Sequence, residues 1–275
     1  MSNELIEVKK KRADEFQEAI IKSNEPRIIV EAGAGSGKTY TLIERVRKLL
    51  EDGVRPENMV IITFTNMAAE ELKERLVDIP GIGDCFVGTI HSFANKIFGN
   101  SNIEYKLYTE EIQDQFMSVL ISLYAKNLTL EEYFKYKDLK KQVDNGIIDD
   151  FELRSQFTSG ELFEINVLLD CHPCAEYPEN INDLCKKHNI ITFDELLKRT
   201  TVYFKELGGK IEYLFVDEYQ DIGPLEKDFF EALNADNYFF VGDEKQALYS
   251  FKRRGCKLFL RFNTFWWLEN ILFKQ

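Results

Sequence analysis

Three groups of residues in this chain have the types and spacing to do chemistry. The first is Ala32-Gly33-Ala34-Gly35-Ser36-Gly37-Lys38-Thr39. Glycines let successive backbone N–H groups turn inward around phosphate oxygens, and a following helix adds its partial positive charge. In this phosphate-loop pattern, with Ala32 standing for the first glycine, Lys38 reaches the β- and γ-phosphates of a nucleotide and the Thr39 hydroxyl holds Mg2+. The second group is Asp217-Glu218, which closes the apolar run Tyr213-Leu214-Phe215-Val216. Asp217 suits a hard cation that prefers oxygen ligands, and Glu218 is placed to orient or deprotonate an attacking water. An Asp-Glu pair after a strand is by itself usually a solvated turn; the phosphate loop gives it weight. The third group is Cys171, Cys174, Cys185 and His188, spaced C-x2-C-x10-C-x2-H. Thiolate and imidazole ligands at that spacing suit a structural Zn2+. The competing expectation is that Cys185 and His188 simply pack on an amphipathic helix. A redox pair of Cys171 and Cys174 is disfavoured, because no thioredoxin-like strand–helix–strand surrounds it.

Alternating strands and helices must position these groups. Residues 27–31 form a short β-branched run that ends in the glycines, and 39–50 follow as a helix with Leu42, Val46, Leu49 and Leu50 on one face. Residues 59–63 read as a buried strand, 68–77 as a helix, 86–90 as a third strand and 91–98 as a third helix. Repeated strand–helix units predict an α/β fold with a parallel sheet. From 100 to 189 the period is helical and no strand is evident. Ile112, Phe116, Val119, Leu120 and Leu123 make one expected stripe, and Leu162, Ile165, Leu168 and Leu169 another. Alternation resumes with a helix at 193–207, a strand at 213–216, a helix at 225–233 and a strand at 238–241. A discontinuous α/β domain, 1–99 with 190–275, interrupted by a helical subdomain at 100–189, is the expected division.

The chain has 275 residues, 44% hydrophobic and 13% aromatic, enough apolar material for a packed core. No apolar run is long enough to span a membrane. The N-terminus has no apolar h-region, and five cysteines do not make a disulfide scaffold, so a cytoplasmic protein is expected. The net charge of -12 argues against a nucleic-acid binder, which normally carries a basic footprint. That charge is uneven. Residues 101–190 hold 9 basic and 17 acidic side chains, whereas 251–275 hold six basic and one acidic.

Further motifs give the chain a family likeness. Gln17 lies in Phe16-Gln17-Glu18-Ala19-Ile20, upstream of the loop. Thr63-Phe64-Thr65-Asn66-Met67-Ala68-Ala69 and Gly88-Thr89-Ile90-His91-Ser92-Phe93 follow the second and third strands. Asp217-Glu218-Tyr219-Gln220-Asp221 extends the acidic pair, and Gly242-Asp243-Glu244-Lys245-Gln246-Ala247-Leu248-Tyr249-Ser250-Phe251 follows the last strand. In order and spacing these resemble the N-terminal half of superfamily 1 DNA helicases of the UvrD/Rep/PcrA type. The resemblance implies a RecA-like P-loop NTPase domain that binds ATP and Mg2+ and acts on single-stranded or partly duplex DNA, translocating 3′→5′. By the same likeness Gln17 reads adenine, Gln246 senses the γ-phosphate, and Phe64, Thr65, Asn66, His91, Tyr249 and Phe251 face the DNA. Flat side chains such as Phe64, Tyr249 and Phe251 can stack unpaired bases without regard to sequence. The competing expectation for each Phe is core packing, in a chain holding 22 of them. Lys252, Arg253, Arg254, Lys257 and Arg261 add a basic cluster suited to phosphate contact, or to a solvated face.

Two departures from the family pattern bear on activity. Phe251-Lys252-Arg253-Arg254-Gly255 disturbs the usual aromatic-Arg-Gly spacing, and no Asn-Tyr-Arg motif follows Trp266-Trp267-Leu268-Glu269-Asn270. The family's second RecA-like domain, with its transition-state arginines, is therefore expected to be missing, and the isolated chain to hydrolyse ATP poorly and unwind little. Three readings follow: the ATP-binding portion of an ATP-dependent DNA helicase; a truncated ATP- and DNA-binding or partner-binding subunit of a defence or repair complex; or a fragment or frameshifted product. In the second, a protein partner supplies the missing motor domain or a nuclease.

Overall fold

The strongest apolar runs become the middle of one parallel sheet. The computed structural model describes residues 14–33, 35–169, 178–243 and 272–274. The chain divides into two compact units, Met1–Ser101 with Leu196–Gln275, and Asn102–Glu195.

In the first unit, α1 (Glu15–Lys22) precedes β1 (Arg27–Glu31), and α2 (Lys38–Glu51) follows the phosphate loop. Next come β2 (Met59–Thr63), α3 (Asn66–Leu76), β3 (Phe86–Thr89) and α4 (Ile90–Phe98). The chain returns along α10 (Phe193–Glu206), whose first three residues still belong to the second unit, and continues through β6 (Tyr213–Asp217), α11 (Pro224–Leu233), β7 (Asn237–Gly242) and β8 (Leu272–Lys274). The strand order is β3-β2-β6-β7-β1-β8, with every pairing parallel. All five residues of β2 are buried, as are the last four of β6 and the last five of β7. A parallel strand covered by helices on both faces needs such continuous apolar runs. Leu42, Val46, Met59, Ile61, Phe215 and Val241, each fully buried, anchor one core between α2, α3 and the sheet. Strand β8 was not foreseen from the sequence; its pairing with β1 makes β1 an inner strand.

The second unit holds β4 (Lys106–Leu107), α5 (Glu110–Tyr124), α6 (Leu130–Asp144), α7 (Asp150–Ser155), α8 (Ser159–Leu169), α9 (Ile181–Lys187) and β5 (Ile190–Ile191). Strands β4 and β5 pair in parallel, so the segment 100–189, expected to lack strands, holds one short strand, β4, whose partner lies just beyond it. Two residues are too few to show a period, which is why the sequence did not reveal it. Its core gathers Met117, Leu120, Tyr133, Ile165 and Leu168. The α5 stripe is a correction: Met117, Leu120 and Ile121 face inward, while Val119 is 51% and Leu123 63% exposed.

Candidate functional site

Parallel strands end on one edge, and this edge collects the chemistry. In register, Thr63 pairs with Thr89, Asp217 with Val241, and Gly242 with Glu31. The segments that follow β1, β2, β3, β6 and β7 therefore leave the sheet on the same side.

The loop after β1 starts at Ala32, whose N–H donates to the Gly242 carbonyl at 3.1 Å, extending the ladder by one residue. It then turns through Gly35 and Gly37, with φ of 75° and 89°. Gly37 caps α2 from the left-handed region, and a Cβ there would meet the Gln17 amide nitrogen at 2.7 Å. Only glycine fits both demands. The Ser36 hydroxyl is buried and has no hydrogen-bond partner among the described residues. A buried unpartnered hydroxyl in a glycine turn at a helix N-terminus is what a phosphate oxygen would satisfy. Ala34 lies outside the described residues.

Helix α1 brings Gln17 to this loop. Asp14 and Gln17 form a reciprocal capping box, and the Gln17 amide donates to the Ser36 carbonyl at 3.0 Å. The other end of α1 is held by Arg45 of α2, only 4% exposed. Its guanidinium donates to the carbonyls of Ile20 and Ser23 at 3.0 and 2.8 Å, and lies 5.4 Å from the Phe239 ring centre.

Across the loop stands the acidic strand end. Lys38 Nζ is 3.8 Å from Glu218 Oε2, and its side chain is only 9% exposed. Asp217 is buried at the end of β6. Burial first, and then the neighbouring Glu218 carboxylate, push its carboxyl up to about 6, against the opposing pull of the Glu218 N–H and of Lys38. A carboxylate held in such a place fits a cation. Thr39 is at the second position of α2, half-buried. Glu218 takes φ 55° and ψ 46°. That left-handed conformation is costly for a residue with a Cβ, and several bonds surround it. Its N–H donates to Asp217 Oδ1 at 3.0 Å and its Oε2 accepts from the Gln220 amide at 2.7 Å. The Gln220 carbonyl oxygen accepts from the Asp243 N–H at 3.0 Å. Tyr219 donates to Glu31 Oε1 at 3.3 Å.

The segments after β2 and β3 leave from the same edge. Phe64 is half-buried, while Thr65 and Asn66 are exposed at the start of α3, where the Thr65 side chain caps Ala68. His91 is half-buried in the first turn of α4, whose N-cap is Thr89. Gln246, Tyr249 and Phe251 lie outside the described residues, as do the basic residues 252–261.

Residues 13–265 match the family model described as the UvrD/REP helicase N-terminal domain. This chain belongs to the UvrD/REP helicase family. The parallel α/β unit is the RecA-like fold of such helicases. The family member is 30% identical over 258 residues to the ATP-dependent DNA helicase Rep of Buchnera aphidicola, covering 85% of this chain and 36% of that protein. It is 28% identical over 260 residues to the ATP-dependent DNA helicase PcrA of Bacillus subtilis, covering 86% and 33%. For the PcrA of Staphylococcus aureus the figures are 27% over 280 residues, 94% and 37%. The chain thus spans little more than a third of the length of these relatives.

The cysteine–histidine group is only half described. Cys171 and Cys174 lie outside the described residues. Cys185, on α9, packs against the second unit's core, and burial raises its thiol above the usual range, disfavouring a thiolate. His188 caps α9, with its ring 6.0 Å from that of Phe116. Among the described residues no three His, Cys, Asp or Glu side chains gather as a metal set. No described helix is long and apolar enough to cross a membrane.

Sequence reasoning gave no role to Arg45, Gln220 or Gly242. Gln220 stood inside a motif without an assigned partner. Arg45 left one trace, a charged residue between Leu42 and Val46 on the buried face of α2.

Proposed function

We propose that this chain is the ATP-binding part of an ATP-dependent DNA helicase or translocase, moving 3′→5′ on DNA. The observation that carries the reading is the meeting of loop and acidic strand end, with Lys38 Nζ 3.8 Å from Glu218 Oε2 beside the buried Asp217. Gln17 is assigned to the adenine, and Ala32 to Gly37 with Lys38 to the phosphates. Thr39 and Asp217 would hold Mg2+, which when bound screens the phosphate charge. Glu218 orients the attacking water, and its αL backbone, pinned on two sides, aims the carboxylate back toward Lys38. Gln246 is assigned to γ-phosphate sensing.

DNA lies along the same edge, over Phe64, Thr65, Asn66 and His91, and Tyr249 and Phe251 are assigned to DNA contact by the family likeness. Exposed Thr65 and Asn66 offer hydrogen bonds to the backbone, and Phe64 offers a face for stacking. The division at 99/100 and 189/190 belongs to the same proposal, as a RecA-like domain with an inserted helical subdomain.

ATP binding and hydrolysis, measured with and without single-stranded DNA, test the reading. The expected outcome is micromolar Mg·ATP binding that Lys38→Ala lowers by about a hundredfold or more, as loss of a buried charge–phosphate contact implies. A Lys38→Ala chain that binds as tightly as the wild type would defeat the assignment. So would hydrolysis insensitive to single-stranded DNA in the presence of measurable turnover.

A further inference from the structure

We infer that Gln220 is a positioning residue that ties the Glu218 carboxylate to the backbone at the exit of β7. The inference rests on the nucleotide-site reading above. Gln220 is 6% exposed, so its amide must be paired inside the protein. Its two ends have partners of opposite kind. The NH2 donates to Glu218 Oε2 at 2.7 Å, and the carbonyl oxygen accepts from the Asp243 N–H at 3.0 Å. A backbone N–H can only donate and a carboxylate can only accept, so the amide has one workable orientation. A neutral, buried bridge therefore runs from the water-orienting carboxylate to the last described residue of the β7 exit.

The surroundings keep this bridge short. At Gly242 a Cβ would meet the Tyr219 ring at 2.6 Å and would also strike the Gln220 oxygen, so glycine lets β7 approach the amide. Tyr219 is itself held through its hydroxyl by Glu31 at the end of β1. The Asp243 carboxylate lies on the phosphate-loop side, 3.9 Å from where a Cβ on Gly33 would sit. A movement of Glu218 toward or away from Lys38 must be passed through Gln220 to the Asp243 N–H, or break one of the two bonds. The residues that follow Asp243 carry Gln246, so the bridge joins the acidic strand end to the segment assigned to γ-phosphate sensing.

Two isosteric substitutions separate the halves of the bridge. Gln220→Met removes both bonds. Gln220→Glu keeps an acceptor for the Asp243 N–H but replaces the donor to Glu218 with a second negative charge. Amide exchange at Asp243 is followed in the full chain, without nucleotide and with Mg·AMPPNP, alongside AMPPNP affinity. Without nucleotide, exchange at Asp243 is expected to quicken about tenfold in Gln220→Met and to stay near wild type in Gln220→Glu. Mg·AMPPNP is expected to alter that exchange about threefold or more in the wild type and in neither variant, with affinity held within about threefold. Unchanged exchange in nucleotide-free Gln220→Met would overturn the tether. An equal nucleotide response in all three chains, at equal affinity, would overturn the link to Glu218. A wild-type chain that binds no Mg·AMPPNP would overturn the proposed function first, and the nucleotide half of this inference with it.

Discussion

Cys85 shows how burial sets chemistry at the scale of one side chain. Its thiol donates to the Met59 carbonyl at 3.3 Å, and burial pushes it up to about 12 from an ordinary 9.0. A group whose folded pKa is raised stabilises the fold fully below its unfolded pKa and loses that contribution as pH rises to the folded value. The native protein should therefore lose stability between about pH 9 and pH 12 by more than a Cys85→Ala chain does, in denaturant titrations across that range. Parallel slopes for the two chains would contradict the assignment. At this scale the loop, Lys38, Thr39, Asp217 and Glu218 were legible, because glycine geometry and strand-end carboxylates are local patterns. Gln17 could be named only through family likeness. Its contact with the Ser36 carbonyl joins residues 19 apart, and no local spacing announces that.

At the scale of elements, short helices here are fixed by single polar side chains from elsewhere. Helix α1 has eight residues, too few to be stable alone, so its position depends on what grips its ends. Arg45 grips the last carbonyls and the Asp14–Gln17 box closes the first turn. Replacing Arg45 by Met keeps much of the volume but takes a donor from the Ile20 and Ser23 carbonyls, leaving Ile20 with the Ser23 N–H, at a cost of about 2 kcal/mol. Nucleotide affinity should fall as well, with discrimination between ATP and GTP falling most, because Gln17 would no longer be held over the loop. Melting curves and competition binding read both effects.

In the second unit Glu164 does the comparable work. It is 1% exposed and accepts the N–H groups of Lys126, Asn127 and Leu128 at 3.1, 3.0 and 2.8 Å. Glu164→Gln should cost about 2 kcal/mol in chemical denaturation and Glu164→Ala about 3 kcal/mol, since the amide turns a donor toward donors and alanine leaves them bare. A loss under about 0.5 kcal/mol in both would contradict that role. Element positions were legible where three or four apolar residues run together, as at Ile28–Val30, Met59–Ile62, Tyr213–Val216 and Tyr238–Val241, so β1, β2, β6 and β7 stand where their patterns put them. The inward face of α5 was not legible. Its second half, 116–124, is apolar except for Ser118 and Ser122, and choosing Met117 and Ile121 over Val119 and Leu123 needs the neighbouring helices.

At the scale of the whole molecule, the sheet order departs most from the order of the chain. The strand that delivers the phosphate loop lies between β7 and β8, which the chain supplies last. Strand–helix alternation predicted a parallel sheet, yet nothing in it ranks which strands become neighbours. The acidity is likewise a regional matter: residues 101–190 carry -8 of the net -12.

The pairing of β1 with β7 also sets a timetable for a chain made from its N-terminus. Glu31 pairs with Gly242, so the loop's strand emerges from the ribosome about 210 residues before its first hydrogen-bonded neighbour. At ordinary elongation rates that wait is about 10 to 40 s. The helical unit 102–195 is contiguous and can close while it lasts; β1 cannot. Ribosome-arrested chains exposing residues 1–200 should protect the helical unit from protease and bind no nucleotide, whereas release of the full chain should restore binding. During synthesis, β1 is thus an unpaired apolar strand awaiting its partners, and its exposure to chaperones and to aggregation is governed by the speed of translation.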